Sequence, residues 1–337
     1  MQPIDFYRNP DIRPAEYSDD FLKKNEREIF YHQKDFKITY RPFFKTKRFF
    51  YLLQSHFNKK FFVGQASFSG LGDTVLYSHL PRLIKSHWPD YQVFVYETVY
   101  SKIVFANNPF IDGFTKDKQY LFKKKGSGSD YGSGHFTQMK ARFLGIKECL
   151  PKGEIFISPE EKNRVAAQPY KPIVTFHAHG KSNKCQITDE IWSAVVKELK
   201  KTHYVIQLKS PEENMIEGVN QTVTGIRECI VQQSVAQVHV GVDSGFAHTA
   251  AALNVPAVII LDKINNSWPL LIGDIHQLVL PQLKGGHLGF LYPQHTYLCV
   301  GHSTPKTPLL SQETLRMAID GKIYPFRKQS IWNMQYT

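Results

Sequence analysis

The chain has 337 residues, 42% of them hydrophobic and 21% charged, with a formal net charge of +12. That length favours two domains over one, and the composition is that of a globular protein able to bury a core. No apolar run approaches the ~20 residues that span a bilayer, and the polar start MQPIDFYRNPDIRPAEYSDD is not that of a signal peptide, so a cytoplasmic setting is expected.

Residues 1–60 show no alternation of strand and helix patterns and read as an N-terminal extension. From Phe36 to Gly72 there is no Asp or Glu, while seven cations (Lys37, Arg41, Lys45, Lys47, Arg48, Lys59, Lys60) alternate with aromatics such as Phe43, Phe49 and Tyr51. A solvated face over a small helix accounts for this pattern. So does docking of residues 36–60 on an anionic membrane surface. No nucleic-acid motif accompanies the patch, and none is expected to bind there.

From Phe61 the pattern becomes βαβ. FFVGQA is a strand, SFSGLGD a Gly-rich turn, and TVLYSHLPRLIKSHW an amphipathic helix interrupted at Pro81. YQVFVYE is a second strand and VYSKIVFANN a second helix, which predicts a parallel sheet. The stretch KKKGSGSDYGSG, residues 123–134, is a flexible loop by composition. A second series follows: the strand KPIVTFHAHG, the helix ITDEIWSAVVKELKK with Thr188 as its cap, and the strand HYVIQLK. IRECIVQQSVA is a helix, QVHVGV a strand, SGFAHTAAALN a helix ending at Asn254, and PAVIIL a last strand. Domains of 1–60, 61–165 and 166–337 are expected, the latter two Rossmann-like.

The segment VGVDSGFAHTAAALNVPAVIIL carries the clearest chemistry. It places a helix N-terminus beyond the end of a strand, where open α/β sheets bind ligands and free N–H groups meet anions. Gly245 allows a phosphate to approach Ser244 and its neighbours, Asp243 is a candidate cap, and His248 lies one turn in. A Ser-His-Asp hydrolase is not indicated, because Ser244 lies in no G-x-S-x-G elbow.

In SFSGLGDTV, Gly70 and Gly72 sit between strand and helix, and Glu97 ends the next strand where a ribose-binding acid would sit. A nicotinamide site would need a third glycine where Val75 stands. Asp73, at the start of the helix, is either a cap or a general base. In FHAHGKSNK, Lys181 and Lys184 are either solvated cations or phosphate ligands, and the His177-x-His179 pair is a weak metal signal without an acidic or Cys companion. No metal site is expected. The four cysteines are widely spaced, with no C-x-x-C, so no disulfide or zinc framework is expected.

Two of these segments, Ser69-Gly70-Leu71-Gly72-Asp73 and DSGFAHTAAALNVPAV from Asp243, resemble glycosyltransferase family 9, the ADP-heptose lipopolysaccharide heptosyltransferases. NNPFIDGF resembles that family's N-P-x-I-D segment, and HAHGKSNK with Trp192 its Lys-bearing phosphate loop. The likeness spans roughly residues 61–320 and implies an α/β GT-B fold, two Rossmann-like domains facing across a cleft. It implies an inverting, metal-independent sugar transfer, with Asp73 as base and Ser69, Gly70 and Gly72 in the acceptor-side loop. Lys184 or Lys181, with Asp243, Ser244, Gly245 and His248, would bind the donor. No resident cofactor is implied, the co-substrate being a nucleotide-sugar, ADP-heptose first, and the acceptor a glycan or glycolipid. The sequence departs from the family in the Cys185-Gln186-Ile187 that stands in place of a Trp-Pro, and in the 60 residues before the first strand. A protein acceptor is one alternative. A nicotinamide-dependent oxidoreductase and a non-catalytic nucleotide-binding module are others.

Overall fold

The structure, a computed structural model, describes residues 51–64, 70–116, 136–146, 152–166, 171–180, 189–242, 244–261, 295–299 and 335–336. The chain divides into two units, the change falling between Phe156 and Ile157.

In the first unit, residues 51–58 form helix α1. One of its faces is held down by side-chain chemistry. The Tyr51 hydroxyl donates to Phe62 O at 2.9 Å, and the His56 ring stands edge-on to Phe61 and Trp88. Strands β1 (Lys60–Val63), β2 (Gln92–Tyr96) and β3 (Gly113–Thr115) form a parallel sheet in that order. Phe61 and Val63 point inward from β1, and the fully buried Phe61 ring stacks on Trp88 at 5.1 Å. The expected helix across residues 74–88 is split, as Pro81 required. Helix α2 (Leu71–Val75) ends in turns, and α3 (Leu80–His87) begins with Pro81 in its first turn, where the missing N–H costs no hydrogen bond. Helix α4 (Val99–Val104) starts at a reciprocal Thr98–Ser101 capping box. Helix α5 (Phe136–Phe143) completes the unit's described elements.

The second unit holds α6 (Pro159–Ala166), β4 (Ile173–His177), α7 (Asp189–Leu199), β5 (Tyr204–Leu208), β6 (Gln221–Val223) and α8 (Ile226–Gln233). After these come β7 (Val238–Val242), α9 (Gly245–Ala252), β8 (Ala257–Leu261), β9 (His295–Cys299) and β10 (Gln335–Tyr336). All pairings are parallel, in the order β10-β9-β8-β7-β4-β5-β6. Without β10 this is the doubly wound order 3-2-1-4-5-6, whose direction reverses between β4 and β7. Every residue of β7 is buried, as a central parallel strand covered on both faces demands. Under the sheet, Trp192 of α7 is fully buried with its ring 5.5 Å from Phe176. The short polar strand β6 and the strand β9 are additions to the sequence reading. The segments 123–134 and Thr188 lie outside the described residues.

Candidate functional site

The switch point is built by β4, β7 and α9. His177 ends β4 and lies in register with Gly241 of β7. Two residues beyond β7, Ser244 caps α9. Its Oγ accepts from Phe246 N–H at 3.3 Å, and it lies 3.1 Å from His177 Nδ1. The ends of the two diverging strands are therefore bridged by side chains. Ser244, not Asp243, is the cap, because it is Ser244 that has extended backbone and a hydroxyl within reach of the second helical N–H. Gly245 is the first helical residue, so its N–H lies among those that an α-helix leaves without an internal partner.

Helix α9 is fixed from three sides. Fully buried Gln233 donates to Phe246 O at 3.0 Å and accepts from Thr249 Oγ1 at 2.6 Å. His295 Nε2 from β9 lies 2.9 Å from Ala247 O. The helix ends in a Schellman motif: Val255 N–H reaches Ala250 O and Asn254 N–H reaches Ala251 O, with Asn254 at φ 61°. His248 is buried, not open to solvent, and burial together with the nearby His295 charge lowers its pKa to about 4. It is a neutral imidazole at pH 7 and offers the site hydrogen bonding, not charge.

His177 has further company. Its Nε2 is 3.7 Å from Glu213 Oε1, and its ring meets Phe246 edge-on at 4.8 Å. Burial pushes the Glu213 carboxyl up, but the His177 imidazole, the Ser210 backbone and the His179 charge outweigh it and hold the pKa below the usual carboxylate range. His179 turns elsewhere, with Nε2 3.1 Å from Asp189 Oδ1. The two histidines of H-x-H thus serve different partners.

In the first unit Asp73 is exposed at the third position of α2, and its carboxylate accepts from Gly70 N–H at 3.2 Å. Because Gly70 has no side chain, only this half of a capping box exists. Sequence reasoning missed Lys140 of α5, which is 6% exposed with Nζ 4.8 Å above the Tyr77 ring. Burial lowers its pKa to about 8, and the Asp73 charge works against that fall. A lone lysine in FTQMKARF carries no sequence signal; only packing puts it within electrostatic reach of Asp73.

The nicotinamide reading loses its supports. Val75, where a third glycine belongs, is fully buried core, and Glu97 is engaged by Lys102 at 2.8 Å. A Cβ on Gly70 would meet nothing within 4 Å, so that glycine is not needed for close packing. NNPFIDGF is structural: Asp112 accepts from Val93 N–H at 2.6 Å and pairs with Lys85 at 2.8 Å, while Asn108 Oδ1 accepts from Phe110 N–H. Ser69, Lys181, Lys184 and Asp243 lie outside the described residues.

No protein-family model matches the sequence, and no curated protein does. Solved structures do. A glycosyl transferase family 9 protein from Veillonella parvula DSM 2008 matches at 12% identity over 77% of this chain and 95% of that one, with a TM-score of 0.56. The E. coli ADP-heptose lps heptosyltransferase II matches at 13% identity over 78% and 98%, with a TM-score of 0.52. The expected α/β, GT-B fold is thus the fold of this chain, and at such identities the likeness is one of fold.

Proposed function

We propose that this fold serves as an inverting glycosyltransferase that moves a heptose from a nucleotide-diphosphate donor, ADP-heptose first, to a lipopolysaccharide-core or related glycan. The observation that carries the reading is the switch point, where the N-terminus of α9 opens beside His177 with Ser244 and Gly245 at its mouth. A diphosphate is the ligand such a place suits, because helix N–H groups and the dipole meet negative charge there. Lys184 or Lys181 would add to that grip, and Asp243 would serve the donor as an acceptor for its hydroxyls. The fold likeness to an ADP-heptose heptosyltransferase supports heptose as the sugar.

In this mechanism the acceptor hydroxyl attacks the anomeric carbon and gives its proton to Asp73. The bond from that carbon to the diphosphate oxygen breaks, and the nucleoside diphosphate leaves with the electron pair on the face opposite the attack. Fixed N–H dipoles and ammonium groups stabilise the growing charge. A Ser-His-Glu hydrolase is not favoured. Here Nδ1 faces the serine and Nε2 the carboxylate, the reverse of the hydrolytic order, and Ser244 Oγ is occupied as a helix cap. The experiment is a mass-spectrometric screen of nucleotide-sugars against core-glycan acceptors, with NADH and NADPH titrated in parallel. Heptose transfer from ADP-heptose is expected. Nicotinamide binding without sugar transfer would overturn the reading.

A membrane-surface role has one observation in its favour. Leu53 and Phe57, one helical turn apart on α1, are 53% and 87% exposed, and Lys59 and Lys60 follow. Sedimentation with anionic but not neutral vesicles, weakening as salt rises, is the expected result. Equal, salt-insensitive behaviour towards both would reject it. Residues 36–50 of the basic-aromatic stretch lie outside the described residues.

A further inference from the structure

The switch point holds more imidazole than an anion site needs for charge alone. His239 of β7 is fully buried, with Nδ1 3.2 Å from Thr175 Oγ1 and no hydrogen-bond partner for Nε2 among the described residues. That nitrogen faces the gap left by Gly241, the residue in register with His177: a Cβ built there would lie 3.0 Å from His239 Nε2 and 3.0 Å from His177 O. Burial, then the charges of His177 and His295, hold His239 neutral. Two buried rings thus refuse a proton, His239 here and His248 on α9. His177 is placed differently, with an ionised carboxylate on one side and the Ser244 hydroxyl on the other.

The position of one proton decides what Ser244 can do. With neutral His177 carrying its hydrogen on Nε2, toward Glu213, Nδ1 is an acceptor. The Ser244 hydroxyl then gives its only proton to His177 and has none for a ligand. With imidazolium, Nδ1–H donates to Ser244 Oγ, which already accepts from Phe246 N–H. The hydroxyl proton is then released toward the mouth of α9.

We propose that His177 is a positioning residue of the diphosphate site, taking a proton from solvent as the anion binds and thereby turning the Ser244 hydroxyl out to donate to a phosphate oxygen. The proposal rests on the donor reading above. Glu213 on the segment after β5 faces the ring as counter-charge. His179, paired with Asp189 of α7, is the next titratable group along the chain, and His239 faces the His177 ring from β7, with His295 behind it. Proton uptake gives the site a sign that fixed dipoles lack: diphosphate affinity falls as pH rises, by up to about tenfold per unit where the free ring is neutral.

The test is titration calorimetry of the full chain with ADP, at pH 6.5–8.5, in buffers of different ionisation enthalpy. Wild type is expected to take up a fraction of a proton approaching one per ADP bound at the alkaline end. His177→Asn, whose amide can donate near the Nδ1 position but does not titrate, should bind ADP with no proton uptake and a flat pH profile. His177→Ala, which leaves no imidazole to hold the Ser244 hydroxyl proton, should likewise bind ADP without proton uptake. ADP binding by wild type without proton uptake, or uptake that persists in His177→Asn, overturns the inference and leaves the donor site standing. Failure of wild type to bind ADP at all overturns both.

Discussion

Asp73 has two separable roles, and replacing it with Asn tells them apart. Its carboxylate accepts one exposed hydrogen bond, from Gly70 N–H at 3.2 Å. An asparagine oxygen can take that bond, so the fold should lose less than the ~0.5–1 kcal/mol an exposed cap is worth. For a chain of this size that shifts the melting temperature by no more than about 2–4 °C. An amide cannot take the acceptor proton, and losing a general base costs about 10²–10⁴ in rate, roughly 3–5 kcal/mol of transition-state stabilisation. The two magnitudes do not overlap. Asp73→Ala loses both groups and should match Asn in rate while melting slightly lower. The assay is ADP release from ADP-heptose with the acceptor found in the donor–acceptor screen, beside calorimetric ADP binding and thermal melts. An Asn variant within about threefold of wild-type turnover, or one that loses ADP affinity in step with rate, would show that Asp73 only caps the start of a helix.

Gly245→Val puts a side chain at the mouth of α9 and should raise the ADP dissociation constant more than about tenfold; unchanged calorimetric binding in a folded variant would move the diphosphate elsewhere. Gly153→Ala should destabilise the first unit by about 1–3 kcal/mol or more in urea titrations, because its Cβ would fall against Val75 O and 2.6 Å from Ser78 Oγ, at the C-terminal end of the helix that carries Asp73. Wild-type stability there would refute that packing. Acid should weaken the fold early. Burial lowers the pKa of His79 to about 3 and of His248 to about 4, and holds His239 well below its ordinary value. These groups titrate near pH 6.5 when unfolded, so the unfolded chain takes up protons the folded one refuses. Stability present above pH 6.5 is therefore lost as pH falls toward 4, by about 1.4 kcal/mol per unit for each histidine. Urea midpoints equal at pH 7.5 and pH 5 would contradict this.

Local structure was written in the residues. The apolar runs of β1, β2, β4, β5, β7 and β8, the break at Pro81 and the small-residue helix α9 were legible, though its cap was read one residue early at Asp243, because burial on both faces of a parallel strand and the needs of a helix N-terminus leave marks within a few residues. Strand β6, three residues long and half-buried at the sheet's edge, left too weak an apolar pattern to be found. Partnership was decided only by tertiary structure. His177 and Ser244 are 67 residues apart, and Glu213 lies on a third segment. They meet because β7 pairs with β4 and β5 lies on β4's other edge, which reverses the winding at that point. The same holds for Lys140, brought beside Asp73 by the packing of α5. Periodicity reports which way a residue faces, whereas its neighbours across the sheet depend on strand order and register, which are set by long-range pairing and by burial of the whole core.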